Sequence, residues 1–169
     1  MRKFIITAAA TLALAAPAFA QDATSFAGAR VGATLGYDRT HGRDGFTYGG
    51  SFGYDHAITP KITLGAEATF EDSSTKFRGI HASRDLAISA RAGYVVIPSL
   101  LAFAKVGYDT TRIEVVSAGH TNLEGVRFGG GLEYAVIPHV YLSAEYRRTQ
   151  YEDNFGGRDA GIVGVGYRF

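Results

Sequence analysis

The sequence predicts an all-β chain: an eight-stranded antiparallel up-and-down transmembrane β-barrel with short periplasmic turns and four longer extracellular loops. Three observations carry this. Apolar and polar residues alternate with period two along nearly the whole chain beyond residue 20. Three tyrosine–proline segments recur, with Tyr54, Tyr94 and Tyr134 spaced by 40 residues and Pro60, Pro98 and Pro138 following them. The charges of the alternating segments share a face with glycine, whereas the opposite face is apolar at mid-strand and aromatic near the ends.

The first element is a leader. Arg2 and Lys3 form a charged n-region, Phe4 to Ala16 is mostly apolar, and Pro17 precedes the A-x-A pattern Ala18-Phe19-Ala20, followed by Gln21-Asp22. This is the pattern of a secretory signal peptide cut after Ala20. The expected organisation is a signal peptide over 1–20 and one outer-membrane β-barrel domain over 21–169.

Eight strands of about ten residues follow, the length a tilted strand needs to cross a bilayer. In "GARVGATLGY", Ala29, Val31, Ala33, Leu35 and Tyr37 oppose Arg30, Gly32, Thr34 and Gly36. "FTYGGSFGYD" sets Phe46, Tyr48, Phe52 and Tyr54 against Thr47, Gly49, Ser51, Gly53 and Asp55. "ITLGAEATFE" sets Ile62, Leu64, Ala66, Ala68 and Phe70 against Thr63, Gly65, Glu67, Thr69 and Glu71. In "DLAISARAGY", Leu86, Ile88, Ala90, Ala92 and Tyr94 oppose Asp85, Ala87, Ser89, Arg91 and Gly93. The fifth strand opposes Ala102, Ala104, Val106 and Tyr108 to Phe103, Lys105, Gly107 and Asp109. The sixth opposes Val126, Phe128, Gly130, Leu132 and Tyr134 to Arg127, Gly129, Gly131 and Glu133. The seventh opposes Val140, Leu142, Ala144 and Tyr146 to Tyr141, Ser143, Glu145 and Arg147. The last opposes Val163, Val165, Tyr167 and Phe169 to Ile162, Gly164, Gly166 and Arg168.

The connections alternate in kind. Proline cannot donate to a ladder, so Pro60, Pro98 and Pro138 mark strand ends and short turns. The connections over 38–45, 72–84, 112–124 and 150–158 are longer and rich in Gly, Asp, Arg, Ser and His. Short turns on one side and long loops on the other is the wiring of an outer-membrane barrel. Face polarity separates this from a soluble barrel, which hides its apolar face inside. Glycine on a water-facing strand packs nothing, but inside a narrow lumen it makes room for Arg, Lys, Tyr and Phe. Tyr54, Tyr94, Tyr134, Tyr167 and Phe169 then form one aromatic girdle, and Tyr37, Phe46, Tyr48, Phe70, Tyr108, Phe128 and Tyr146 the other.

On "GGGLEYAVIPHVYLSAEYRR", the repeated Gly-Tyr…Pro turns and the terminal "GVGYRF", the chain resembles the opacity/OmpA-like family of porin-like outer-membrane proteins. The resemblance covers residues 21–169. It implies a Gram-negative outer membrane, with phospholipid and lipopolysaccharide as neighbours. It also implies an assembly signal, here Val163, Val165, Tyr167 and Phe169, read by the barrel-assembly machinery. The family spans adhesins, surface antigens, narrow channels and structural proteins, so it implies no single activity. No peptidoglycan-binding domain is expected after Phe169.

Few residues suggest chemistry. There is no cysteine, hence no disulfide framework or thiolate site. Without Arg2 and Lys3, fifteen bases face sixteen acids, which excludes a basic nucleic-acid binder. His41, His56, His81, His120 and His139 show no ligand spacing, so neither a metal nor another cofactor is expected. Gly129-Gly130-Gly131 lies within a strand and no Lys-Ser/Thr follows it, so it is not a phosphate loop. His120, Asn122 and Glu124 in "SAGHTNLEG" faintly resemble a lipid A deacylase site, but no serine nucleophile follows. No catalytic residues are assigned. The triplets Gly42-Arg43-Asp44 and Gly157-Arg158-Asp159 read as solvated loop charges.

The interior carries the sharpest expectation. Glu67, Arg91, Lys105 and Glu145 fall at similar heights above the turns and point inward, predicting an ion-pair cluster. Arg127 and Arg147 should lie above it, Glu133 and Arg168 below, with Phe103 and Tyr141 filling the lower lumen. The reading is a structural or surface-interacting barrel of adhesin or antigen type, with a largely plugged lumen and an unidentified ligand at the loops. A narrow ion-conducting channel is the alternative, and a lipid A-modifying enzyme a further one.

Overall fold

The computed structural model describes residues 23–40, 43–73, 76–77, 80–115, 119–151 and 157–169. The leader over 1–20 and His41 lie outside them. A short 3-10 turn, Ala23–Phe26, precedes the strands β1 (Gly28–Thr40), β2 (Arg43–Thr59), β3 (Ile62–Ser73), β4 (Lys76–Phe77), β5 (Ile80–Ile97), β6 (Leu100–Val115), β7 (Gly119–Ile137), β8 (Val140–Tyr151) and β9 (Gly157–Arg168). β4 is a two-residue rung beside β5. The other eight form the barrel wall. Sequence neighbours pair antiparallel, β3 pairs with β5, and β1 pairs with β9 from Arg30↔Arg168 to Thr40↔Arg158. With the first and last strands paired, no edge is left open, as a strand protein in lipid requires.

Three connections are two-residue turns: Pro60-Lys61, Pro98-Ser99 and Pro138-His139. The ladder shifts register beside each, between Ala57/Thr59, Val95/Ile97 and Ala135/Ile137. His139 has φ +73° behind a proline, the arrangement of a type II turn. Its Nδ1 lies 2.8 Å from the Arg168 carbonyl oxygen and its ring stacks on Tyr167 at 5.5 Å.

At the opposite end the strands outrun the expected boundaries. The wall strands are 12 to 19 residues long, so much of the four polar connections is β-hairpin. The physical reason is the ladder: once a pair leaves the membrane, its hydrogen bonds continue until turn residues interrupt them.

The alternation places the faces as read. Apolar side chains stand bare outside, among them Ile88 (66% exposed), Phe46 (63%) and Phe169 (70%). A water-facing surface this apolar would aggregate; lipid covers it. The interior is charged, and glycine makes room within it. A Cβ on Gly166 would run into the Tyr141 ring, and one on Gly131 into the Ala144 carbonyl and the Phe103 ring. At the turn end a small apolar cluster closes the barrel: Ala23, Phe26, Val95 and Leu101, with Ala57 and Ala135 against it. Phe26 precedes β1, where no alternation marks it as an interior residue.

Candidate functional site

The lumen is the site. Alternation turns Arg30, Arg91, Lys105, Arg127, Arg147, Arg158 and Arg168 inward, together with Asp38, Asp55, Glu67, Glu71, Asp85, Asp109, Glu133 and Glu145. Seven bases thus face eight acids among the described residues. They form one alternating ladder along the barrel. From the turn end, Arg168 Nη2 meets Glu133 at 2.5 Å, and Arg91 bridges Glu133 at 2.7 Å and Asp55 at 2.6 Å. Arg30 bridges Asp55 at 2.8 Å and Glu67 at 2.5 Å. Lys105 joins Glu67 at 2.5 Å to Glu145 at 2.6 Å, and Arg147 joins Glu145 at 2.8 Å to Glu71 at 2.6 Å. Arg127 reaches Glu71 at 3.8 Å, Asp85 at 2.7 Å and Asp109 at 2.5 Å. Arg158 ends the ladder between Asp85 at 2.9 Å and Asp38 at 2.8 Å.

The ladder takes a residue from every wall strand, so it crosses the lumen where a soluble protein would have its apolar core. Each buried ion has lost its water and is tolerable only while a partner of opposite sign is in bonding range. Aromatic rings complete the packing: Phe103 lies 4.3 Å below the Arg91 guanidinium and Tyr141 lies 5.6 Å from that of Arg168. The remaining space includes a cavity of about 20 Å³ beside Glu67, Lys105 and Glu145, and one of about 10 Å³ beside Glu71 and Arg127. Each has room for about one water.

Of the four expected cluster residues, the structure brings Glu67, Lys105 and Glu145 together. Arg91 lies nearer the turns, between Asp55 and Glu133. Sequence reasoning put Asp55, Glu71, Asp85 and Asp109 on the inward face but in no cluster. Their shared signal was an acid in phase with the inward residues of its own strand. One expectation is corrected: Arg158 is no solvated loop charge but is buried in the ladder. β9 begins at Gly157, which places Arg158 opposite Thr40 and inside the wall. The acids of the two triplets, Asp44 and Asp159, do face solvent. Asp159 lies 3.4 Å from Arg148, and Asp44 lies 2.7 Å from Arg39. The hydrogen bond from Arg39 holds the Asp44 carboxyl below its ordinary pKa. The His120 and Asn122 side chains lie outside the described residues. Among the described residues no His/Cys/Asp/Glu group has metal-site geometry. Val163, Val165 and Tyr167 line the outward face of β9, and Phe169 follows it.

A family model described as outer membrane protein beta-barrel domain matches residues 6–169. No curated protein matches the chain. Among solved structures, the fold is similar to Ail, the attachment invasion locus protein of Yersinia pestis (TM-score 0.60, 13% identity, 85% of this chain and 97% of that one). It is also similar to Neisserial surface protein A (TM-score 0.58, 18%, 83% and 96%). A third likeness is to the outer membrane enzyme PagL (TM-score 0.56, 15%, 83% and 99%). At these identities the likeness is one of fold.

Proposed function

The chain belongs to the outer membrane protein beta-barrel domain family, and from that premise we propose a closed structural barrel that presents its polar hairpins for recognition at the cell surface. It is an integral outer-membrane β-barrel. The observation that carries the closed reading is the unbroken ion-pair ladder with single-water cavities. A sugar would have to part this ladder, and moving it aside would strand buried charges.

Planar-bilayer recording of the refolded protein tests this reading. Background conductance and no liposome swelling with sugars are expected; steady nanosiemens openings or sugar uptake would make it a pore. One observation favours a narrow ion path as the second reading. Among the described residues the interior has one more acid than base, so small single-channel steps, if they occur, should select cations.

Recognition then belongs to the hairpins, since the wall is given over to lipid contact and lumen filling. A surface role is supported by the company of Ail and Neisserial surface protein A, an attachment protein and a surface protein by name. Replacing each connection by a short Asn-Gly turn, with the ladder residues Asp38 and Arg158 kept, should leave the barrel folded and abolish binding of cells bearing it to host surfaces. Binding that survives all four replacements would leave only the structural role. Should lipid A from the same cells change mass on His120→Ala, the barrel is an enzyme instead.

Lipopolysaccharide and phospholipid would contact the two girdles, and the barrel-assembly machinery would read Val163, Val165, Tyr167 and Phe169. Cleavage after Ala20 would leave the domain 21–169; a purified protein whose N-terminal sequence begins elsewhere would refute that cut.

A further inference from the structure

The residues just ahead of the barrel are not a loose tail. Ala23–Phe26 forms a 3-10 turn inside the turn-end mouth. Ala23 and Phe26 are 0% and 1% exposed and pack against Val95 and Leu101. The Ala23 amide donates to the Pro60 carbonyl at 2.7 Å, and Arg168 Nη1 donates to the Phe26 carbonyl. The chain then bends into β1 at Gly28, whose φ of +116° lets it pass close to the Phe169 carbonyl. The Phe169 amide donates to the Ala29 carbonyl at 2.9 Å.

These contacts join the segment that leads into β1 to the end of β9. Arg168 belongs to β9 and Gly28 opens β1, the two strands whose pairing closes the barrel. The same Arg168 guanidinium that holds Phe26 also binds Glu133 at 2.5 Å and Asp55 at 3.3 Å. Ala23 and Phe26 of the turn therefore cap the lowest rungs of the ladder, where Asp55, Glu133, Arg91 and Arg168 are all at most 5% exposed. Open to water, those charges would be screened and rehydrated, and their grip on one another would weaken.

We propose that the turn-end mouth is a binding site for a short peptide turn with apolar first and last residues, occupied by the chain's own residues 23–26 and latched by Arg168 across the β1–β9 seam. Phe26 is the anchor of this plug. The plug deepens the closed-barrel reading, but bilayer recording reads the ladder whereas the following assay reads only the mouth, so either can fail alone.

The chain lacks cysteine, so a single introduced thiol gives a clean signal. Thr63 faces inward, 1% exposed, and shares the space over Gly93 with Leu101. Folded Thr63→Cys barrels, selected by their heat-modifiable gel band, are treated with a charged maleimide. With the native plug, labelling should be slow. Phe26→Ala should speed it at least tenfold, and Phe26→Leu should restore protection. Ala23→Arg, a second disruption outside the wall, should match Phe26→Ala. Equal labelling with and without the plug, fast or slow, overturns the proposal. Failure of both disrupted chains to form the folded band, while Phe26→Leu forms it, overturns it too, since the turn would then be a folding element and not a seal.

Discussion

Asp55→Ala should be among the most damaging single changes in the barrel. Asp55 is fully buried, and its Oδ2 accepts hydrogen bonds from Arg30 Nε at 2.8 Å, Arg91 Nη1 at 2.6 Å and Arg168 Nη1 at 3.3 Å. Arg30 and Arg168 are register partners across the closing seam and both point inward. Two guanidiniums side by side repel, and Asp55 is the carboxylate that touches both. Removing it leaves three buried cations to share Glu67 and Glu133, which already bond them. Uncompensating a buried charge costs about 3–5 kcal/mol. Urea unfolding in lipid vesicles, followed by the gel shift, should show that loss. Asp55→Asn should fall between wild type and alanine, because the amide oxygen still accepts while the charge is gone. Adding Arg30→Met to Asp55→Ala should recover part of the loss, since one stranded cation leaves with it. A loss below about 1 kcal/mol would mean that the ladder is ornament to a wall held by its backbone bonds alone.

Arg127→Met should act at the other end with similar size. Arg127 Nη2 donates to Asp85 at 2.7 Å and to Asp109 at 2.5 Å, Nη1 to Thr69 at 3.3 Å, and Nε to Thr149 at 3.2 Å. Methionine keeps most of the volume but leaves two carboxylates facing each other without the fork between them. The expected loss is about 3–4 kcal/mol by the same argument. Arg127→Lys should recover only part, because an ammonium is a point charge and cannot span the same set of acceptors. Asp109→Asn added to Arg127→Met should recover more, by relieving the like-charge contact. Asp55 and Arg127 share no bonding partner in the ladder, so Asp55→Ala and Arg127→Met should add within about 0.5 kcal/mol. Strong non-additivity would show that the ladder responds as one unit.

The sequence alone was sufficient for the faces, the turns and the environment. A period of two is a property of each strand by itself, so Val31 and Leu35 outside and Arg30 inside were legible at once. Proline's missing donor marked the three turn ends, and the inverted polarity marked lipid. What it could not show was which charge meets which. Arg91 was expected with Glu67 and Glu145, yet it bonds Asp55 and Glu133. Arg158 looked like a loop residue because its triplet is polar; the pairing of β9 with β1 carried it inside. Phe26 lay before the first strand, where no periodicity exists to read, and only the closed mouth gave it a pocket. The cause is common to all three. Strands in a barrel are tilted and staggered, so the height of a side chain in the lumen depends on the register of all eight strands and on closure. That is a property of the assembled wall, and no single strand contains it.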